Sequence, residues 1–269
     1  MNLRRSAILR EMGLAPLWRL RTAAETADAG EISPSPAPFG HPLPQAGEGL
    51  ILPSPTSGRG AGEKGEGNEW SDLSQERADT SRIAAMDWQE LEETIRACRS
   101  CVLCEKRTQA VPGVGDRQAH WMFIGEGPGV EEDRRGEPFV GQAGKLLDHM
   151  LAALGLKRGE NVYIANAVKC RPPHNRTPEA AEIAACAVFL DRQVALVRPR
   201  LLVALGRPAA QALLGREISI AAARGKRFER DGVPVIVTYH PAYLLRNPLD
   251  KGKAWEDLCF ARRIVAEGQ

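Results

Sequence analysis

Four short apolar segments, separated by helical patterns, constrain the fold of this chain more than any other feature. The segments are WMFIG at 121–125, VYIANAV at 162–168, LLVALG at 201–206 and VPVIVTYH at 233–240. Apolar runs of this length that alternate with helices are typical of parallel strands buried on both faces. The alternation predicts an α/β fold with three α/β/α layers, in which a central four-stranded parallel sheet is flanked by helices.

Helical segments are predicted around each of these strands. Gly155 is a stop signal for one of them, and Thr177 followed by Pro178 is a start signal for another. Apolar residues recur at helical spacing in every segment. The predicted helices are 87–98, 143–156, 177–197, 207–215 and 252–268.

The chain divides into three parts by composition. Residues 1–29 are predicted to be an N-terminal helical segment, with apolar residues among arginines. Residues 30–85 are rich in Pro, Gly and Ser and are predicted to be a disordered linker or insertion. Such a composition buries too little apolar surface to offset the entropy lost on ordering the chain. Residues 86–269 are predicted to form the folded domain.

Charge and hydropathy bound the class of protein only loosely. The formal net charge is +2, which neither implies nor excludes nucleic acid, because binding depends on local patches. No secretory signal and no apolar run of about 20 residues are found, so a cytoplasmic chain without a membrane partner is expected. In such a chain the six cysteines favour metal binding over disulfides.

Four of the cysteines form a group with metal-ligand character. Cys98 and Cys101 make a C-x2-C pair, and Cys170 and Cys186 lie further along the chain. Four thiolates complete either a zinc site or an iron–sulfur site, and spacing alone does not separate the two. Cys104 extends the pair to C-x2-C-x2-C and is a rival ligand.

Polar groups follow each of the four predicted strands. The loop GEGPGVEEDRRGEPFVGQAG at 125–144 follows the first, Asn166 is near the end of the second, Arg207 follows the third and His240 ends the fourth. Because carboxyl ends of parallel strands meet at one edge, these groups are predicted to share a site. The loop is neither a Walker motif nor a G-x-G-x-x-G motif.

Each candidate in this site also has a structural interpretation that the residues alone leave open. The acids of the loop, including Glu126, are suited to positioning water, or they are solvated charges on a glycine-rich turn. The Phe139 ring is suited to stacking on a flat ring, and the Asn166 amide to pairing with a pyrimidine edge. Asn166 is equally suited to capping a loop, and His240 to being a satisfied polar residue.

The chain from about Cys98 to Leu258 resembles the family 4 uracil-DNA glycosylases, the iron–sulfur branch of their superfamily. The resemblance rests on CRSCVL, GEGPGVEEDRRGEPFVGQAGKLLD, VYIANAVKCRPPHNRTP, the later Cys186 and HPAYLLRNP. It implies a monofunctional DNA repair hydrolase that flips uracil out of DNA and hydrolyses its N-glycosidic bond. The products are free uracil and an abasic site, as in base excision repair. Residues 86–269 would be its catalytic domain.

The resemblance also implies roles for individual residues and a partner. The partner is uracil-containing DNA, double- or single-stranded, and the expected state is a monomer. A [4Fe–4S] cluster is expected on Cys98, Cys101, Cys170 and Cys186. The catalytic residues implied are Glu126, Glu132 and His240. The substrate-binding residues implied are Gly127, Phe139 and Asn166. The residues implied to wedge into DNA are Leu244 and Leu245.

Two other functions remain open from the residues alone. One is a non-catalytic nucleic-acid-binding module with a structural metal, which would bind DNA without releasing uracil. The other is a redox protein whose cluster cycles, although no nicotinamide or flavin fingerprint is present. The site motifs offer no lysine nucleophile, so neither a Schiff base nor strand cleavage is expected.

Overall fold

The computed structural model describes residues 80–267, and every structural statement below concerns them. Their strands form one six-stranded sheet in the order β1-β3-β2-β4-β6-β5. The strands are β1 (Val114–Gly115), β2 (Trp121–Gly125), β3 (Val162–Asn166), β4 (Leu201–Leu205), β5 (Arg227–Arg230) and β6 (Val233–Thr238).

The sheet is mixed, which corrects the prediction of a four-stranded parallel sheet. Strands β3, β2, β4 and β6 are parallel to one another and match the four predicted strands. The edge strands β1 and β5 pair antiparallel with β3 and β6. Their sequences carry no apolar run, because β1 has two residues and β5 alternates exposed and half-buried side chains. The α/β class and the flanking helices are confirmed.

Helices cover both faces of the sheet. The described helices are α1 (Trp88–Ala97), α2 (Val130–Arg135), α3 (Gln142–Leu154), α4 (Ala180–Val197), α5 (Arg207–Leu214), α6 (Ile220–Ala223), α7 (Pro241–Arg246) and α8 (Lys251–Glu267). Short 3₁₀ turns occupy Val102–Glu105, Pro173–Asn175 and Pro248–Asp250. Each long helix falls within or close to a predicted segment.

Helix α4 starts later than its sequence predicts. Thr177 and Pro178 lie outside it, and its first turn is closed by Glu182, whose Oε2 accepts the N–H of Glu179 at 2.8 Å. The same carboxylate accepts two hydrogen bonds from Arg176, at 2.6 and 2.8 Å. Thr177 is therefore left available to the neighbouring loop.

Two apolar cores lie on opposite faces of the sheet, because successive side chains of a strand point to opposite faces. One core packs α3 and α8 against Phe123, Ile164, Val203 and Ile236. The other packs α4 and α5 against Met122, Tyr163, Leu202 and Val235. Because β3, β2, β4 and β6 are parallel, their carboxyl ends meet at one edge of the sheet, where Gly125 is in register with Asn166.

Several expectations fall outside the described part of the chain. The N-terminal segment 1–29 lies outside it, as does the linker 30–85 except for its last six residues. Residues 80–85 are helical, and Ile83 packs against the core of α1, so the fold extends upstream of residue 86. In the described residues, no helix is both long enough and apolar enough to cross a bilayer.

Candidate active site at the carboxyl edge of the sheet

A cavity of about 610 Å³ opens at the carboxyl edge of the parallel strands. It collects the loop after β2, the end of β3, the start of α5 and the turn into α7, as predicted from the strand order. Its walls include six of the predicted site residues: Glu126, Gly127, Glu132, Phe139, Asn166 and His240.

Asn166, which lines this cavity, carries an unsatisfied acceptor. The residue is 2% exposed, and its Oδ1 has no hydrogen-bond partner within residues 80–267. Leaving a buried polar atom unpaired costs about 1–3 kcal/mol. A β-carbon at Gly125 would overlap both this oxygen and the Phe139 ring, so the neighbouring strand must carry glycine there. The site therefore holds an acceptor that an N–H donor from a ligand would satisfy.

Phe139 is held in a left-handed backbone conformation, with φ of 56°. Arg158 donates one guanidinium hydrogen bond to the Pro138 carbonyl at 2.9 Å and another to the Phe139 carbonyl at 2.8 Å. A β-carbon at Gly144 would overlap that same carbonyl. Such strain persists only where surrounding contacts over-determine it, so the Phe139 ring has a fixed position in the wall.

The His240 ring is stacked on Phe139, with ring centroids 5.4 Å apart. Its Nδ1 accepts the N–H of Ala242 at 3.1 Å and so caps α7, whose first residue is Pro241. Burial, with a smaller contribution from the positive charge of Arg246, lowers the pKa of His240 to about 4. The ring is therefore neutral at pH 7, with its proton on Nε2.

Glu126 is the half-buried carboxylate of the cavity. Burial raises its pKa, and three neighbours partly oppose this effect: a hydrogen bond from Thr177 and the charges of Arg207 and Arg246. Both arginines also line the cavity. The Glu126 carboxylate is therefore partly shielded from water and lies near the positive charges of Arg207 and Arg246.

Glu132 is committed to the backbone of its own loop. Its Oε1 accepts the N–H groups of Val140 and Gly141 at 2.9 and 3.0 Å, and its Oε2 accepts that of Gly129 at 3.1 Å. These bonds join the start of α2 to the segment that carries Phe139. The geometry therefore gives Glu132 a role in shaping the loop.

The four predicted cysteines line a second, smaller cavity together, with Cys104 on the same wall. Burial raises the pKa of Cys186 to about 12, and it raises the pKa of Cys170 against an opposing hydrogen bond from Arg107. That bond runs from Nη1 of Arg107 to Sγ of Cys170 at 2.8 Å. No disulfide joins any of the six cysteines, and none of the His, Cys, Asp and Glu side chains described here form a group arranged around one metal ion.

Comparison of the sequence with known proteins identifies its family. The model of the uracil DNA glycosylase superfamily matches residues 112–259, which is more than half of the chain. The chain belongs to the uracil-DNA glycosylase superfamily.

Several relatives of high identity are type-4 enzymes of that superfamily. The type-4 uracil-DNA glycosylase of Pyrobaculum aerophilum is 44% identical over 65% of this chain and 93% of its own length. The enzymes with the same description from Thermotoga maritima and Archaeoglobus fulgidus are 46% and 47% identical. The match covers 65% and 57% of this chain, and 87% and 81% of theirs. This glycosylase is therefore a type-4 member.

The two predicted wedge residues of the glycosylase differ in their exposure. Leu244 is 0% exposed and packs in the core beneath α7. Leu245, by contrast, is 46% exposed. On a helix, consecutive residues point about 100° apart, so only one of the two leucines faces outward. The wedge assignment stays a prediction, and Leu245 is the leucine that lies exposed for it.

Arginine side chains in this region of the glycosylase also divide into two groups. Arg207 and Arg246 are exposed at the cavity, whereas Arg176 is tied to the buried Glu182. The basic stretch at 223–230 forms α6, a turn and β5, and its Arg224 and Arg230 pair with Asp257 and Asp191.

Sequence reasoning missed some residues of both cavities. Tyr239 and Tyr243 stack with centroids 5.0 Å apart on the cavity wall, and Arg107 and Lys169 line the cysteine cavity. The nearest sequence signals were the positions of Tyr239, Tyr243 and Lys169 close to His240 or Cys170, and of Arg107 shortly after Cys104. Neither signal distinguishes a wall residue from a core residue.

Proposed function

We propose that the chain is a monofunctional uracil-DNA glycosylase of base excision repair that binds one extruded uracil between Phe139 and Asn166. Uracil-DNA glycosylase activity follows from its superfamily membership. The observation that carries the residue assignment is the unpaired Asn166 Oδ1 in the cavity wall. Uracil offers an N–H at N3 to such an acceptor, whereas cytosine offers an unprotonated nitrogen there.

Extrusion of the base is required because its bond to the sugar is unreachable inside the stack. The cavity of about 610 Å³ has room for one pyrimidine, and the fixed Phe139 ring provides a flat surface for stacking. Leu245 lies exposed on α7, directly before the cavity-lining Arg246, and would fill the space that the base leaves. Arg207 and Arg246 would neutralise flanking phosphates.

Cleavage of the N-glycosidic bond places negative charge on the departing uracil and positive charge on the sugar. Donors fixed in advance towards the developing anion lower this barrier most. Nε2–H of the neutral His240 ring is such a donor, directed to uracil O2. The Asn166 amide would bind the opposite side of the ring through N3–H and O4.

Attack by water on the sugar needs a group that holds it. Glu126 is the candidate, since its carboxylate lies in the cavity and its acceptors are not used by its own loop as those of Glu132 are. Its negative charge would also stabilise the oxocarbenium-like sugar. The broken bond leaves a uracil anion, which takes up a proton, and the sugar gains the hydroxyl of water.

Cys98, Cys101, Cys170 and Cys186 would hold a [4Fe–4S] cluster. The fit rests on four thiols around one cavity, on the N–H of Arg107 directed at a sulfur, and on type-4 membership. The cluster would cross-link the chain around the base-binding strand. It supplies no group to the bond-breaking step.

A direct experiment tests the assignment. The purified protein is incubated with uracil-containing oligonucleotides as U·G, U·A and single strands, and alkali reveals abasic sites. We expect turnover by the wild type and a loss of about 100-fold or more in His240→Ala and Asn166→Ala. The exposed His149 provides a matched control, and His149→Ala should keep full activity.

The same assay separates the competing functions. Binding of DNA without any release of uracil would support the non-catalytic module. Normal turnover by both His240→Ala and Asn166→Ala would show that the cavity residues are misassigned. Cleavage of the strand without alkali would contradict the monofunctional mechanism.

A further inference from the structure

Lys169 is a buried cation that the reaction does not use. Its side chain is 1% exposed, and Nζ donates hydrogen bonds of 2.7 Å to the Asn166 main-chain carbonyl and to Gln193 Oε1. Burying an ammonium group is costly unless it is paired and hydrogen-bonded. A neutral side chain of the same length would avoid that cost, so the charge needs a reason.

Lys169 lies between the two cavities. It lines the cysteine cavity and immediately precedes Cys170, and its backbone N–H is directed at the Cys186 thiol. Its side chain turns back three residues to the carbonyl of Asn166, whose amide lines the other cavity. Lys169 thus contacts both the Cys186 thiol and the backbone of Asn166.

The far end of this contact is rigid. Gln193 is 0% exposed on α4, the helix that also carries Cys186. Its Nε2 donates to the Pro112 carbonyl at 2.7 Å and to Tyr163 Oη at 3.3 Å. Lys169 therefore fixes the end of β3 to a helix and to the segment before β1, rather than to a mobile side chain.

We propose that Lys169 is a positioning residue that couples the cysteine site to base recognition by holding the Asn166 backbone. This rests on the proposed function, in which Asn166 reads uracil. Thiolates that carry an anionic cluster would stabilise the ammonium in place, since a buried charge needs an opposite charge nearby. Loss of those thiolates would leave Asp191 as the remaining opposite charge that acts on the ammonium, and would disturb the turn that aims Asn166.

A purely structural role makes a different prediction. In that case replacing Lys169 would lower stability and leave the chemistry of the folded enzyme unchanged. A positioning role instead weakens the binding of uracil and turnover while DNA affinity persists. The two roles are separated by a measurement on the free base, which contacts the pocket alone.

The experiment compares Lys169→Met with Lys145→Met, a control at an exposed lysine of α3. Calorimetry measures the dissociation constant of free uracil, and kinetics gives kcat and KM on a U·G duplex. For Lys169→Met we expect uracil binding weakened about 10-fold, from loss of one charge-assisted hydrogen bond, and kcat lowered with KM little changed. Absorbance near 400 nm and affinity for uracil-free DNA should match the control. Uracil binding and kcat equal to the control would overturn the proposal.

A second variant protects the test against misfolding of the first. Gln193→Met removes the side-chain acceptor of Lys169. Residue 193 lines neither the cysteine cavity nor the base-binding cavity. If it folds with its absorbance intact, its uracil binding should weaken in the same direction by a smaller factor. Unchanged uracil binding in Gln193→Met would count against the coupling even if Lys169→Met cannot be purified.

A double-mutant cycle distinguishes failure of this proposal from failure of the proposed function. If Lys169 acts through Asn166, adding Lys169→Met to Asn166→Ala should reduce uracil binding no further. Full additivity would contradict the positioning role. An Asn166→Ala enzyme with normal turnover would instead contradict the proposed function, whatever Lys169→Met does.

Discussion

The His240 ring has one nitrogen committed to the backbone, because Nδ1 accepts the N–H of Ala242. A protonated ring would have to abandon that bond and carry a charge next to Arg246 in a desolvated wall. Both effects favour the neutral form, which has a single donor at Nε2. The helix cap thus selects the tautomer that the reaction needs.

The lowered pKa of His240 predicts a pH-dependent stability. The unfolded ring takes up a proton near pH 6.5, while the folded ring stays neutral until about pH 4. The unfolded state binds more protons in that window. The contribution of His240 to the free energy of unfolding therefore falls as pH falls from 6.5 towards 4, and it is constant above pH 6.5. Between pH 8 and pH 5 this group should remove about 2 kcal/mol from the free energy of unfolding.

Urea unfolding at pH 8 and pH 5 measures this effect. His240→Asn keeps an acceptor for the helix cap and removes the titrating group. The wild type should lose about 2 kcal/mol more than His240→Asn between the two pH values. His149→Asn, at an exposed position, should behave as the wild type. An identical pH response of wild type and His240→Asn would contradict the buried, neutral ring.

At the scale of elements, the loop from β2 to α3 is shaped by one carboxylate. Glu132 joins Gly129 to Val140 and Gly141, and Arg158 holds Phe139 from the other side. The loop also carries Glu126, and Glu126 and Glu132 act in different ways. Glu132 fixes the backbone of the loop, whereas Glu126 lines the cavity.

Replacing each acid by its amide should separate these roles. Glu132→Gln keeps one acceptor oxygen but turns an N–H₂ towards backbone donors. We expect about 1–3 kcal/mol lower free energy of unfolding, with kcat reduced through the disturbed loop. Glu126→Gln should lower kcat without lowering stability, because its carboxylate is partly desolvated. Urea unfolding and single-turnover kinetics on both variants test this, and a stable, slow Glu132→Gln would reverse the assignment.

Elements differ in how well their sequences predict them. The parallel strands β2, β3, β4 and β6 were predicted because burial on both faces demands continuous apolar runs. Strands β1 and β5 were not, since β1 has only two residues and pairs with the distant β3, and β5, although it pairs with the adjacent β6, carries no apolar run. The start of α4 was misplaced because Glu182 closes the first turn in place of Thr177.

Within the site, strand order predicted which residues share an edge but not what each side chain does there. Asn166 and His240 follow buried strands, so their convergence was predictable. The commitment of Glu132 to its loop and the burial of Leu244 depend on packing that no local pattern encodes. Lys169 was missed because a lysine in a sequence gives no sign of being buried.

At the scale of the whole molecule, the cysteine site stands apart from the two main cores. Its apolar neighbours form a small cluster of Leu103, Val168 and Ile183 with Cys170 and Cys186. The segment from Cys98 to the start of β1 contains only one short 3₁₀ turn, so few backbone hydrogen bonds hold it. Side-chain contacts, such as Asp133 with the Thr108 N–H, provide much of its attachment.

Removal of the cluster should therefore loosen one region and spare the sheet. A metal–thiolate site contributes its binding free energy to the stability of the segments that it joins. After oxidative chelation of iron, or in Cys186→Ser, we expect faster amide hydrogen exchange in residues 98–111 and 167–177. Strands β2, β4 and β6 lie between two intact cores and should keep their protection. Cys259→Ser provides the control, since Cys259 lies on α8 outside the cysteine cavity. Exchange that accelerates equally across the sheet would mean that the four thiols support the whole fold, and exchange that changes nowhere would mean that they hold no cluster.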